Sequence, residues 1–444
     1  MKKFLSLFLS IMCLFACTAC DGNGGNASGE DSNGSSSENS NSSSSMGGED
    51  IPPTENVITT SLNGLVKQAS WGFETEKVEE WGVTNDYDLE TAVRPIWTTR
   101  NVYNETVSFI GKDDVATLMY TPTKIHKVYD YYLQREYTEG VDYVVEDNKI
   151  RLTDNTMVNH WIRKDYYYAG PQSPYTIPTN EGYLKFSEVV PNTHQISICY
   201  EHEDTYKGAI PVGQESKFSN LNEVLKNGGT LNICAVGDSI TKGCGSSDYI
   251  MNYESARHQV GNPYKIGVPS YINLVKEYLD LQENITVNLC NTAVGGTGVS
   301  NGSEQMSKWT LRPDLVVIGF GMNDATVDAY TFYKSTKTLV EAARKLNPNC
   351  EILLLSSMIP NPEVINWLGN IANFEEQSLL KLVDEYENVG LAPMTSVSQS
   401  LYGVLGKKFE DLNSNSINHP NDFVHRMYAQ TILTTLLGNE YYKK

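Results

Sequence analysis

Four short stretches in the second half of the chain carry serine, glycine, asparagine and histidine in an order that suits acyl transfer. The first, Gly237-Asp238-Ser239-Ile240-Thr241, directly follows the apolar run Leu231 to Val236. A serine on a tight strand-to-helix turn is held out of the sheet, near the positive end of a helix, as a nucleophile requires. Gly, Asp and Ser are also common turn and capping residues, so the triplet alone equally allows a structural role. The second stretch, Asn291 to Gly298, contains Gly295, Gly296 and Gly298. Glycine lets a backbone N–H point into a cleft unobstructed, which suits an oxyanion donor, although an ordinary strand-to-helix turn needs glycine too. The Gly-x-x-x-x-Gly-Lys pattern of a phosphate loop is absent. The third, Gly319 to Asp324, offers the Asn323 amide as a further oxyanion donor or a helix cap. The fourth, Asn418-His419-Pro420-Asn421-Asp422-Phe423-Val424-His425, holds two histidines, either of which could serve as general base.

The elements that must position these residues alternate between strand and helix. Leu231–Val236, Ile285–Leu289, Leu315–Phe320 and Ile352–Leu355 read as short buried strands, with helices expected over Ser270–Leu281, Thr336–Lys345 and 422–438. Such alternation predicts a parallel sheet covered on both faces, with a site at the carboxyl ends of its strands. The long segment Lys242 to Val268, with Tyr249, Tyr253, Arg257 and Tyr264, is expected to border the cleft, as is Trp367; plain packing is the alternative. Residues 57 to about 225 carry shorter β-type runs. Tyr143 to Leu152 is a hairpin around an Asp-Asn turn, and His194 to Tyr200 alternates. Trp71, Trp97, Trp161 and Tyr166-Tyr167-Tyr168 are expected to fill the core of a β-sandwich rather than a sugar-binding face.

Taken in order, the four stretches resemble the blocks of the GDSL/SGNH hydrolases, over about residues 230 to 440. The resemblance implies a three-layer α/β/α, flavodoxin-like domain that hydrolyses acyl esters. It implies Ser239 as nucleophile and an oxyanion hole from Ser239, Gly296 and Asn323. At the fourth block the chain departs from the usual Asp-x-x-His-Pro: Ser416 stands where the acid would be. Alignment on His-Pro-Asn makes His419 the base, with Asp422 capping the last helix and a backbone carbonyl serving the imidazole's other nitrogen. The literal spacing Asp422-x-x-His425 gives the alternative pair. The β-part before the hydrolase part is similar to the layout of two-domain carbohydrate esterases, which points to O-acetyl groups of polysaccharides. The alternatives are a lipid acyl-chain esterase and a non-catalytic surface glycan-binding protein. No cofactor is implied. His126, His160, His194, His202 and His258 are scattered without metal-site spacing.

The formal net charge of −20 over 444 residues disfavours nucleic acid and fits a neutral substrate. Lys2 and Lys3 precede the apolar run Phe4 to Phe15, which is too short to span a bilayer and reads as an export signal. A small residue before cysteine ends that run, predicting a membrane-anchored lipoprotein with lipid on Cys17 or Cys20. A redox or zinc Cys-x-x-Cys pair is the rival reading. Residues 21–56, nearly all Gly, Asn, Ser, Asp and Glu, are expected to be a disordered tether. Of the remaining cysteines, Cys199, Cys234 and Cys290 sit in apolar runs and are expected to pack as small hydrophobes. The predicted organisation is a signal over 1–20, the tether, an accessory β-domain over 57–225 and the hydrolase domain over 226–444.

Overall fold

The computed structural model describes residues 64–67, 88–171, 176–185, 190–252, 267–364 and 368–443. Cys17, Cys20, the 21–56 tether, Trp71, Tyr253, Arg257, His258, Tyr264 and Trp367 lie outside the described residues.

The N-terminal part is antiparallel and made of small sheets. Its strands are β1 (Val66–Lys67), β2 (Asn101–Ser108), β3 (Val115–Thr117), β4 (Pro122–Asp130), β5 (Tyr143–Glu146), β6 (Lys149–Leu152), β7 (Tyr167–Tyr168), β8 (Thr176–Pro178), β9 (Tyr183–Lys185), β10 (Gln195–His202) and β11 (Ile210–Pro211). They form sheets ordered β2-β10-β4, β3-β6-β5, β7-β9-β8 and β1-β11. The hairpin of β5 and β6 pairs Tyr143 with Leu152 and Glu146 with Lys149. Asp147 turns it at a φ of 54°, the left-handed geometry that such a short connection needs. Strand β10 alternates in sequence, yet seven of its eight residues are buried. It is the middle strand of its sheet, covered on both faces. Trp97, Trp161 and Tyr166 are buried in the core, as packing required, and Tyr167 and Tyr168 are only partly covered.

The C-terminal part is built on a five-stranded parallel sheet: β12 (Gly229–Gly237), β13 (Ile285–Asn291), β14 (Leu315–Gly319), β15 (Glu351–Leu355) and β16 (Val389–Ala392). Its order β13-β12-β14-β15-β16 is the flavodoxin-like arrangement. Every residue of β14, β15 and β16 is buried, which is why these runs are apolar without alternation. The edge strand β13 does alternate. Four of the strands follow the runs read from sequence; β16 was not anticipated, because Val-Gly-Leu-Ala is too short and too plain to stand out.

The helices are α1 (Leu89–Val93), α2 (Ser219–Asn227), α3 (Ser239–Lys242), α4 (Tyr271–Asp280), α5 (Ala329–Leu346), α6 (Leu380–Glu385), α7 (Met394–Tyr402) and α8 (Asp422–Leu437). Right-handed crossovers put α4 and α8 on one face of the sheet and α5 and α6 on the other. The expected domain boundary near 225 falls within α2, whose first N–H groups, at Asn220 and Leu221, donate to the carboxylate of Glu351 at the start of β15. One hydrophobic core is continuous through both parts of the chain, from Val102 and Phe109 to Leu231 and Leu353. Helix α8 is buried along its whole length except its first residue's partial exposure, because α1 and the antiparallel part cover its outer side. There Arg426 donates to the Tyr103 carbonyl at 2.7 Å and Gln430 to the Ala92 carbonyl at 3.0 Å. No helix among the described residues is long and apolar enough to cross a membrane. The five described cysteines are free thiols.

Candidate active site

Ser239 is the first residue of α3, immediately after β12. Its turn is formed by close backbone approach. A Cβ on Gly237 would lie 2.2 Å from Thr241 Oγ1 and 2.4 Å from the Gly319 carbonyl, so only glycine fits where β12 and β14 end side by side. Asp238 caps α3, its Oδ1 accepting from the Ile240 N–H at 2.9 Å. Burial raises the Asp238 carboxyl to about 6, against the opposing pull of that N–H and of His419. The Gln305 amide clamps Gly237 from the other side: Oε1 accepts from its N–H and Nε2 donates to its carbonyl, both at 2.9 Å. The turn therefore lies where the strand order reverses, the position at which open α/β sheets bind ligands.

The second and third blocks meet beside this turn. Gly296 has a φ of 74°, in the left-handed region. Asn323 Nδ2 donates to the Thr297 carbonyl at 3.0 Å, tying the block after β14 to the loop after β13 and leaving its second amide hydrogen for another acceptor. Neither the Ser239 nor the Gly296 N–H has a hydrogen-bond partner among the described residues. Asn291 Nδ2 donates to the Thr241 carbonyl at 2.8 Å and so anchors α3. Asp324 accepts from the Val299 N–H at 3.1 Å, and burial pushes its carboxyl up to about 7.

The fourth block brings His419 to the serine: its Nε2 lies 2.9 Å from Ser239 Oγ, with both residues buried. The loop that carries His419 is held by asparagines. Asn415 Oδ1 accepts from the N–H groups of Ile417, Asn418 and His419 at 2.9 to 3.0 Å. Ser416, at the place of the usual acid, has a φ of 67°, and its carbonyl accepts from Asn361 Nδ2 at 2.9 Å. Gly245 passes so close that a Cβ there would lie 2.1 Å from the Pro420 carbonyl.

His425 and Asp422 have other partners. His425 Nε2 donates to the Cys244 carbonyl at 3.1 Å, and its Nδ1 accepts from the Tyr271 N–H at 3.4 Å. With both nitrogens so used the ring is neutral, and burial lowers its pKa to about 4. Asp422 Oδ1 accepts from the Ser247 N–H at 2.7 Å. The cap of α8 is Asn421 rather than Asp422, Asn421 Oδ1 accepting from the Val424 N–H at 3.2 Å; the asparagine precedes the first helical residue, and Asp422 lies within the first turn. Gln305, Asn361, Asn415 and Gly245 gave no signal in the sequence, since isolated polar residues and glycines reveal their partners only when the loops meet. Among the described residues no group of three or more His, Cys, Asp or Glu side chains is arranged to hold a metal ion.

Ser239 Oγ, a neighbouring imidazole and N–H donors at strand ends form an arrangement able to carry an acyl group. Residues 235–427 match the GDSL-like Lipase/Acylhydrolase family. No curated protein matches the sequence. Among solved structures, the chain is similar to a two-domain esterase active on acetylated mannans, co-crystallized with mannopentaose, at 19% identity and a TM-score of 0.35. That alignment covers 52% of this chain and 55% of the esterase, so it spans about half of the esterase's length. An acetyl xylan esterase is 21% identical with a TM-score of 0.35, over 46% of this chain and 98% of its own. A putative GDSL-like lipase from Parabacteroides merdae is 17% identical with a TM-score of 0.34, over 46% of this chain and 95% of its own. The family match takes in Ser239, Gly296, Asn323 and His419, so residues 235–427 are similar to the GDSL-like lipases and acylhydrolases.

Proposed function

We propose that the chain is an exported, lipid-anchored serine esterase that removes O-acetyl groups from polysaccharides. The observation that carries this reading is the 2.9 Å contact between His419 Nε2 and Ser239 Oγ in a buried setting. His419 takes the hydroxyl proton as Oγ attacks the ester carbonyl. The oxyanion is stabilised by the N–H groups of Ser239 and Gly296 and the Asn323 amide. Collapse expels the sugar hydroxyl, which receives the proton from His419. Water then attacks the acyl-enzyme with the same imidazole as base, releasing acetate and free Ser239.

A neutral glycan is supported by the net charge of −20. Export and anchoring are supported by Lys2, Lys3, the short apolar run and the cysteines Cys17 and Cys20.

The test is acetate release from acetylated mannan and acetylated xylan by wild type, Ser239→Ala, His419→Ala and His425→Gln. Wild type and His425→Gln release acetate, whereas the other two variants lose about 10³-fold or more in kcat. Activity retained in Ser239→Ala would refute the serine mechanism. Faster turnover of long-chain than of acetyl p-nitrophenyl esters would redirect the reading to lipid acyl chains.

A further inference from the structure

The segment from Lys407 to Asn421 carries His419 but contains only a single 3₁₀ turn, Phe409–Asp411. Its buried backbone groups therefore need partners from elsewhere, and strands β2 and β10 of the antiparallel part supply them. Gln195, the first residue of β10, is 2% exposed. Its Nε2 donates to the carbonyls of Glu410 and Asn413, both at 2.7 Å, and its Oε1 accepts from Asn421 Nδ2 at 3.2 Å. Thr106 in β2 donates from Oγ1 to the Asp411 carbonyl at 2.5 Å and accepts from Asn421 Nδ2 at 2.9 Å. The Ser108 N–H donates to Asp411 Oδ1 at 2.7 Å. Gln195 is the register partner of Ser108, and Thr106 lies two residues before Ser108, so Gln195 and Thr106 share one face of the sheet. Asn421, which both of them hold, stands two residues after His419 and caps α8.

We propose that Gln195 and Thr106 are positioning residues for His419, so that the antiparallel part completes the catalytic site by fixing the loop that delivers the general base. The inference rests on the serine-esterase reading above. Without Gln195, two loop carbonyls and the Asn421 amide lose a buried partner on the base's side of α8. A shift of about 1 Å in a reacting group costs on the order of 10²-fold in rate.

The experiment uses the full chain and compares Thr106→Val, which removes the hydroxyl at constant shape, Thr106→Ser, which restores it, and Gln195→Leu. Turnover of p-nitrophenyl acetate is measured per active site, counted by burst titration, together with the rate at which a fluorophosphonate labels Ser239. Thr106→Val and Gln195→Leu should lower kcat per active site by about 10- to 100-fold with KM within about twofold, and slow labelling in proportion. Thr106→Ser should recover to within about threefold of wild type. A purely structural role would reduce the titratable fraction and leave kcat per site unchanged. That result, or Thr106→Ser being as slow as Thr106→Val, overturns the inference while the esterase reading stands. Wild type that neither turns over the ester nor takes the label overturns the esterase reading, and the inference with it.

Discussion

Replacing His425 by Gln separates the two histidines of the fourth block through stability as well as through activity. Glutamine offers one donor and one acceptor toward the Cys244 carbonyl and the Tyr271 N–H, the two groups the imidazole now serves. At pH 8 the change should cost about 1 kcal/mol, the scale of one imperfectly replaced hydrogen bond. The pH dependence is the sharper readout. Burial lowers the folded-state pKa of His425 to about 4, against about 6.5 for an unfolded chain. Between these values the unfolded chain binds the proton and the folded one does not, so wild-type stability falls as pH drops from about 6.5 toward 4. Through this residue alone the loss is about 2 kcal/mol at pH 5 and about 3 kcal/mol by pH 4. The variant, without a titrating group at this position, escapes this loss. The buried acids Asp238, Asp324 and Asp422 titrate in both proteins and largely cancel in the difference. Urea unfolding at pH 8, 6 and 5 should therefore show the variant less stable at pH 8 and as stable as wild type, or more so, at pH 5. A stability difference that does not change with pH would refute a neutral, buried His425. Loss of esterase turnover in a folded His425→Gln protein would refute its structural role.

Two further outcomes follow from close packing. Gly237→Ala puts a Cβ against the Gly319 backbone, and is expected to cost several kcal/mol and abolish turnover, because that contact has no flexible side to give way. Gly170→Ala, which meets nothing within 4 Å, should stay within about 0.5 kcal/mol in the same thermal melt. Lys407→Met leaves Glu105, a fully buried partner at 2.6 Å, without its cation. The expected loss is about 3 to 5 kcal/mol by denaturant titration, and a loss under 1 kcal/mol would show that water or a shifted side chain replaces the ammonium.

The sequence by itself determined the parallel sheet and the strand ends at which the candidate site lies. Strands β12, β14 and β15 are buried on both faces, so their apolar runs are legible without knowledge of their neighbours. Ser239, Gly296 and Asn323 are legible for a related reason: each lies within a few residues of its strand's carboxyl end, so local geometry places it near that end. The choice between His419 and His425 was not local. Both lie in one loop-to-helix stretch, and the ring that meets Ser239 depends on how Asn361, Asn413 and Asn415 fold the loop and on which groups of Cys244 and Tyr271 face α8. Strand β10 shows the same limit. Its alternation promised one exposed face, and only the packing of the two parts of the chain buried both. Gln195 and Thr106 lie more than 200 residues before the groups they hold. A hydrogen bond across that separation leaves no periodicity or spacing in the sequence, because its partners become neighbours only when the chain has folded.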